Sequence, residues 1–140
     1  MAELPLTGGC LCGSVRYEIT EPLIVAGYCH CTRCQRRSGS AAAVSALIAP
    51  GSLRLVQGEE HVKAWQPDDG YAKCFCELCG GALWSRHPDE PEQVWPRLGT
   101  FDSDPGIRPT YRQYVAHAVP WEPIPDDGLE RFPEARPRVS

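Results

Sequence analysis

The residues of this 140-residue chain best suited to chemistry are its eight cysteines, which fall as Cys10-x-Cys12, Cys29-x-Cys31-x2-Cys34 and Cys74-x-Cys76-x2-Cys79. Thiolates are soft, negatively charged ligands, and at such short spacings they chelate one metal ion. Zinc is the metal these sets favour, since an iron–sulfur cluster needs a four-cysteine spacing that is absent here. The middle group, Cys29-His30-Cys31-Thr32-Arg33-Cys34, is the densest, and Gln35-Arg36-Arg37-Ser38-Gly39 follows it directly. Three sulfurs leave a tetrahedral zinc one ligand short. A closed structural site takes four protein ligands, whereas a catalytic site keeps the last position for water or substrate.

The question is therefore which cysteines share an ion. On a strand of period two, Cys10 and Cys12 face one way, and so do Cys29 and Cys31, which turns His30 to the opposite face. Cys76-Glu77-Leu78-Cys79-Gly80-Gly81 has the form of a zinc knuckle, with a glycine after the second sulfur to admit unusual backbone angles. Pairing Cys10 and Cys12 with Cys76 and Cys79 gives a closed four-thiolate site and leaves Cys29, Cys31 and Cys34 as an open one. Two other groupings compete: Cys74 joins the middle group to close a second site, or Cys74, Cys76 and Cys79 take Cys10 and strand Cys12.

Short strands must position these groups. Thirteen glycines and 14 prolines among 140 residues fit many turns between short strands rather than a helical bundle. Strands are expected over 14–19, 23–29, 41–48, 52–56, 61–65, 71–75, 82–86, 94–100 and 111–119, from alternation and flanking turn residues. Residues 1–9 read as a leading arm. Thr32 is placed as the N-cap of a short helix through Ser38 that Gly39 ends. Trp121 is expected to anchor a C-terminal tail, 123–140, that is extended and Pro-rich. The expectation is one domain, 1–140, mainly β.

The net charge of −4 gives no general pull toward nucleic acid or anionic lipid. No apolar run approaches the roughly 20 residues of a membrane helix. The first residues carry neither a basic n-region nor an apolar h-region, and the thiol-rich spacing suits ligands better than disulfides; both point to the reducing cytoplasm. His61, His87 and His117 have no partner signal, and Trp65, Trp84, Trp95 and Trp121 read as core residues, one of which could line a pocket.

Several segments resemble one known family. Gly9-Cys10-Leu11-Cys12-Gly13-Ser14-Val15-Arg16-Tyr17 is similar to its opening GCxCGxVxY. The run Cys29 to Gly39 resembles its CHCxxCRRxSG core, departing at Gln35, and Phe75-Cys76-Glu77-Leu78-Cys79-Gly80 resembles its FCxxCG. Leu98 to Asp102 and Pro120-Trp121 with Asp126-Asp127-Gly128-Leu129 match its later segments. The family is that of glutathione-dependent formaldehyde-activating enzymes, whose domain is shared with centromere protein V; the likeness covers about 8–133.

The resemblance implies a tent-like fold of short antiparallel sheets with one short helix and two zinc ions. By residue-wise analogy Cys10, Cys12, Cys76 and Cys79 are the structural ligands, and Cys29, Cys31 and Cys34 the catalytic ones, with Cys74 outside both. It also implies a carbon–sulfur lyase, or thiol adduct synthase, that joins glutathione to formaldehyde as S-hydroxymethylglutathione, or acts on a related thiol–aldehyde pair. Glutathione carries two carboxylates, so Arg33, Arg36 and Arg37, at i, i+3 and i+4 of the short helix, read as an anion clamp or as a solvated basic face. The centromere relative supports a different class, a non-catalytic zinc-stabilised binding module, against which the absence of a basic arm counts.

Overall fold

Alternation along the chain becomes burial in the structure, a computed structural model that describes residues 2–137. In β2 (Arg16–Ile19) Tyr17 and Ile19 are buried, while Arg16 and Glu18 are partly exposed. β7 (Ala72–Cys76) buries Ala72, Cys74 and Cys76 and turns Lys73 and Phe75 to its other face. The period-two geometry of a strand thus decides which side chains face the core and which face a cavity.

Three small sheets result. The first runs β1-β2-β5 with β1 at Leu6–Gly9 and β5 at Leu53–Gln57, all antiparallel. The second runs β11-β10-β3-β4, with β3 at Val25–Cys29, β4 at Ala43–Leu47, β10 at Tyr111–Gln113 and β11 at Glu130–Arg131. The third runs β6-β7-β8-β9, with β6 at Val62–Trp65, β8 at Ala82–Arg86 and β9 at Val94–Pro96. The fold is mainly β with one helix, α1 (Thr32–Ser38), as the sequence indicates. One part of the expectation needs correcting: β10 pairs in parallel with both β3 and β11, so the second sheet is mixed.

Local differences have physical causes. The leading arm contains β1, whose glycines are required because a Cβ at Gly8 would lie 2.6 Å from the Tyr17 hydroxyl and the Thr100 carbonyl. The expected strand 94–100 stops at Pro96 and becomes a 3-10 turn over Leu98–Thr100. Strand 111–119 ends at Gln113 because Tyr114 adopts left-handed backbone (φ 56°) before a second turn, Val115–His117. Trp121 anchors nothing, being 66 % exposed. Of the tail, residues 123–137 run along the surface with β11 stitched to β10; residues 138–140 lie outside the described range.

The core joins the first and third sheets through Val15, Tyr17, Ile19, Ile48, Leu83 and Trp84, each 0–1 % exposed. Tyr17 meets Trp84 edge-on at 5.7 Å between ring centroids, and its hydroxyl hydrogen-bonds Thr100 at 2.6 Å. The second sheet attaches to the third through β4 and β9, where the Ile48 N–H donates to the Val94 carbonyl at 3.2 Å. Gly27 of β3 sits directly under the Tyr111 ring, where a Cβ would lie 2.3 Å from ring carbons.

Candidate metal centres

All eight cysteines are free thiols, and they separate into a group of four, a group of three and one alone. In the group of four, the sulfurs of Cys10, Cys12, Cys76 and Cys79 lie within 4.8 Å of one another. Cys10 and Cys12 occupy the turn between β1 and β2, so a turn rather than strand alternation aims both sulfurs inward. Cys76 ends β7 and Cys79 sits in the turn to β8, closed by the Gly80 N–H donating to the Cys76 carbonyl at 2.7 Å with Gly80 at φ 74°.

The donor set fits a tetrahedral ion. A zinc–thiolate bond of about 2.3 Å implies a sulfur–sulfur edge of about 3.8 Å. Cys10 and Cys12 are 3.7 Å apart, and Cys12 and Cys76 are 4.0 Å apart. The acidities carry the same message. Backbone N–H groups at Gly81 and Cys12 bring Cys79 down to about 6, whereas desolvation pushes the buried Cys76 up to about 11. Four sulfurs in contact cannot all ionise until a cation shares their charge.

The group of three is built on one corner of the fold. Cys29 ends β3, Cys31 is the N-cap of α1, and Cys34 lies in its first turn; their sulfurs also lie within 4.8 Å of one another. The expected cap, Thr32, is instead the first helical residue, and the cap acceptor is the Cys31 sulfur, which takes the Cys34 N–H at 3.3 Å. Hydrogen bonds from the Cys29 and Cys34 thiols, with helix-start N–H groups, hold Cys31 down to about 2. Cys29 is raised, because its own thiol donates to Cys31, with its hydrogen bond to Cys34 and then desolvation adding to the shift. Gly39, at φ 65°, ends the helix by donating to the Gln35 carbonyl at 2.8 Å. Among the described residues no fourth cysteine, histidine or carboxylate joins this group.

Cys74 is alone. It lies 1 % exposed in the core, its thiol pushed up by desolvation, and belongs to neither sulfur group. The groupings that bring Cys74 into either set are therefore not the ones the fold makes.

The three thiols open onto a cavity of about 830 Å3, a size suited to a small-molecule ligand. Arg33 lines it and pairs with Asp69 at 2.5 Å, both side chains being substantially exposed. Arg36 and Arg37 do not line it, which corrects the picture of a three-arginine clamp. Arg37 turns inward and donates to the Cys74 carbonyl (2.6 Å), the Trp84 carbonyl (3.2 Å) and Ser85 Oγ (3.1 Å). Ser38 Oγ donates to the Cys34 carbonyl at 2.7 Å, a helix-end role. Trp95 is the tryptophan that reaches the cavity.

Lys73, Arg97, Tyr114 and Arg136 also line the cavity, and the motifs did not point to them. Only Lys73 left a trace in the sequence, since it alternates with the buried Cys74 along β7. His30 is 3 % exposed and does not line the cavity; it follows the end of β3, so the chain's exit into α1 rather than the expected strand alternation turns it away from the thiols. Arg112 donates to His30 Nε2 at 3.1 Å, which places the proton of the neutral ring on Nδ1; burial followed by the Arg112 charge lowers its pKa. Arg112 stacks on the Tyr28 ring at 4.0 Å and pairs with Asp127 at 2.9 Å.

Comparison with known proteins accords with this geometry. The sequence model of the glutathione-dependent formaldehyde-activating enzymes matches residues 5–117. The crystal structure of a Rhodobacter sphaeroides protein, solved as a structural genomics target, aligns over 90 % of this chain and 98 % of its own, at 25 % identity and a TM-score of 0.60. No curated protein sequence matches. No helix among the described residues is long and apolar enough to cross a membrane. With a match spanning most of its length, the chain belongs to the glutathione-dependent formaldehyde-activating enzyme family.

Proposed function

We propose that this protein is a zinc-dependent carbon–sulfur lyase, working as a thiol adduct synthase that joins glutathione to formaldehyde as S-hydroxymethylglutathione. Cys29, Cys31 and Cys34 hold the catalytic ion, and Cys10, Cys12, Cys76 and Cys79 hold a structural one. The observation that carries this reading is the asymmetry of the two sulfur groups: one is complete with four thiols, while the other has three and opens onto a cavity.

Cys29, Cys31 and Cys34 would hold a zinc ion that, once bound, would favour the ionised form of an incoming thiol and would polarise an aldehyde oxygen only weakly, because three thiolates already outweigh its charge. The reaction forms one sulfur–carbon bond. The carbonyl π pair moves to oxygen, which takes up the proton released by the thiol, so nothing is oxidised or reduced. The protein's own contribution is to hold the thiol and aldehyde together in the cavity, which Tyr114, left-handed at φ 56°, also lines.

The test is zinc stoichiometry and adduct formation together. The purified protein is expected to bind about two zinc ions per chain, and Cys34→Ser about one, with adduct formation lost and far-UV circular dichroism unchanged. Unchanged adduct formation after loss of that zinc overturns the catalytic assignment. Two zinc ions with no adduct formed from any thiol and aldehyde leave a scaffold.

A further inference from the structure

Two cations on the cavity wall make no ion pair with a carboxylate among the described residues. Arg97 donates from Nη1 to Ser45 Oγ at 2.7 Å, while its Nη2 is buried with no hydrogen-bond partner. Lys73 makes no ion pair with a carboxylate among the described residues; its ammonium lies 5.9 Å from the Tyr71 ring centre and feels the charge of Cys34 and Cys31. Both are partly buried, and desolvation depresses the Lys73 pKa against the opposing pull of Cys34, with the Arg37 and Arg97 charges adding to the depression. A buried N–H without an acceptor and a desolvated ammonium are each costly to leave unmatched.

The thiol group does not absorb all of this charge. Three thiolates around a divalent ion sum to about −1, whereas Lys73 and Arg97 supply two positive charges. With the Arg136 charge set against that of Asp89, both of which also line the cavity, the surplus is one, the charge of a single carboxylate. The nearby arginines are otherwise engaged, Arg37 by two carbonyls and a hydroxyl and Arg33 by Asp69.

We propose that Lys73 and Arg97 form a carboxylate subsite on the wall of the three-thiol cavity, so that the preferred thiol carries a carboxylate, as a cysteinyl peptide does, rather than being neutral. This rests on the thiol-binding reading above and names the feature that selects the thiol. Arg97 presents a planar N–H edge and Lys73 a point charge, the combination that holds a carboxylate in one orientation.

The experiment is calorimetric titration of the zinc-loaded protein with glutathione, its diethyl ester and 2-mercaptoethanol, repeated on Lys73→Met and Arg97→Gln with zinc content measured in parallel. The native protein is expected to bind glutathione at least about tenfold more tightly than the diester. Lys73→Met is expected to abolish most of that preference while leaving diester affinity within about twofold. Equal binding of acid and ester by the native protein overturns the proposal, as does equal weakening of both ligands in the variants. Loss of zinc with the ester preference intact also overturns it, since the cations then serve only the thiolates. If Arg97→Gln fails to fold, Lys73→Met carries the test, because the Lys73 side chain has no hydrogen bond among the described residues to lose. Adduct formed equally from peptide and ester defeats this subsite and leaves the reaction standing. Carboxylate preference without adduct from any thiol does the reverse.

Discussion

Arg36 and Arg37 are adjacent in α1, yet their surroundings give them opposite roles. Arg37 is partly buried and donates to two backbone carbonyls and a hydroxyl of β7 and β8, whereas Arg36 is exposed. Hydrogen bonds from a charged donor are the stronger kind, and removing Arg37 strands three acceptors under the helix. Arg37→Ala is therefore expected to cost about 2–4 kcal/mol, and Arg36→Ala no more than about 0.5 kcal/mol, by urea denaturation of the zinc-loaded protein. Equal losses in the two variants would contradict the placement of α1 on the third sheet. Gln35, where the family core has arginine, shows the same local logic. Its Nε2 donates to the His30 carbonyl at 2.7 Å and the His117 carbonyl at 2.9 Å, tying the helix to the turn that follows β10.

The same corner is braced from behind by elements far apart in sequence. Asp127, before β11, grips Arg112 of β10, and Arg112 in turn holds His30 and stacks on Tyr28 at the end of β3. The Asp127 carboxyl is held below its usual range, first by the Leu129 N–H and then by Arg112. A depressed native pKa contributes stability that is fully present above the unfolded value, about 4, and is lost as pH falls through the native one. Asp127→Asn is thus expected to melt below the native protein at pH 7, with the gap closing as pH drops below about 4. A gap that stays constant across that range would remove the carboxylate charge from the account. This brace was not legible in the sequence, and neither was the parallel pairing behind it. The expected strand 111–119 contains β10, but β11 spans only two residues and showed no pattern, and the partners of both are set by tertiary contact. β1 was hidden for the opposite reason, since half of Leu-Thr-Gly-Gly lacks side chains to form a pattern. Longer strands such as Ala82–Arg86 were legible to the residue, and so were the cysteine motifs, because chelation imposes a local spacing. The cations of the cavity carry no such spacing. Lys73 and Arg97 meet the thiols only because the second and third sheets converge on one corner.

At the scale of the whole molecule, the two sulfur groups bear different loads. The four-thiol group joins the β1–β2 turn of the first sheet to the β7–β8 turn of the third, closing a loop of more than 60 residues between Cys12 and Cys76. The three-thiol group lies within six residues of a single corner, so an ion there cross-links little. Structural zinc in small domains contributes on the order of 10 kcal/mol of folding free energy, comparable with the 5–15 kcal/mol net stability of an ordinary domain. A chain with its own apolar core retains part of its fold without the clamp, so a loss of about 5 kcal/mol is a reasonable scale; at this size that lowers Tm by about 15 °C. Cys12→Ser is expected to show a drop of that order in differential scanning calorimetry, and Cys34→Ser only a few degrees. A strong chelator is expected to bring the native protein and Cys34→Ser to the same low melting temperature by emptying the four-thiol group in both. If Cys34→Ser instead melts as low as Cys12→Ser, the three-thiol corner also holds the sheets together, and its open position cannot be read as freedom from structural duty.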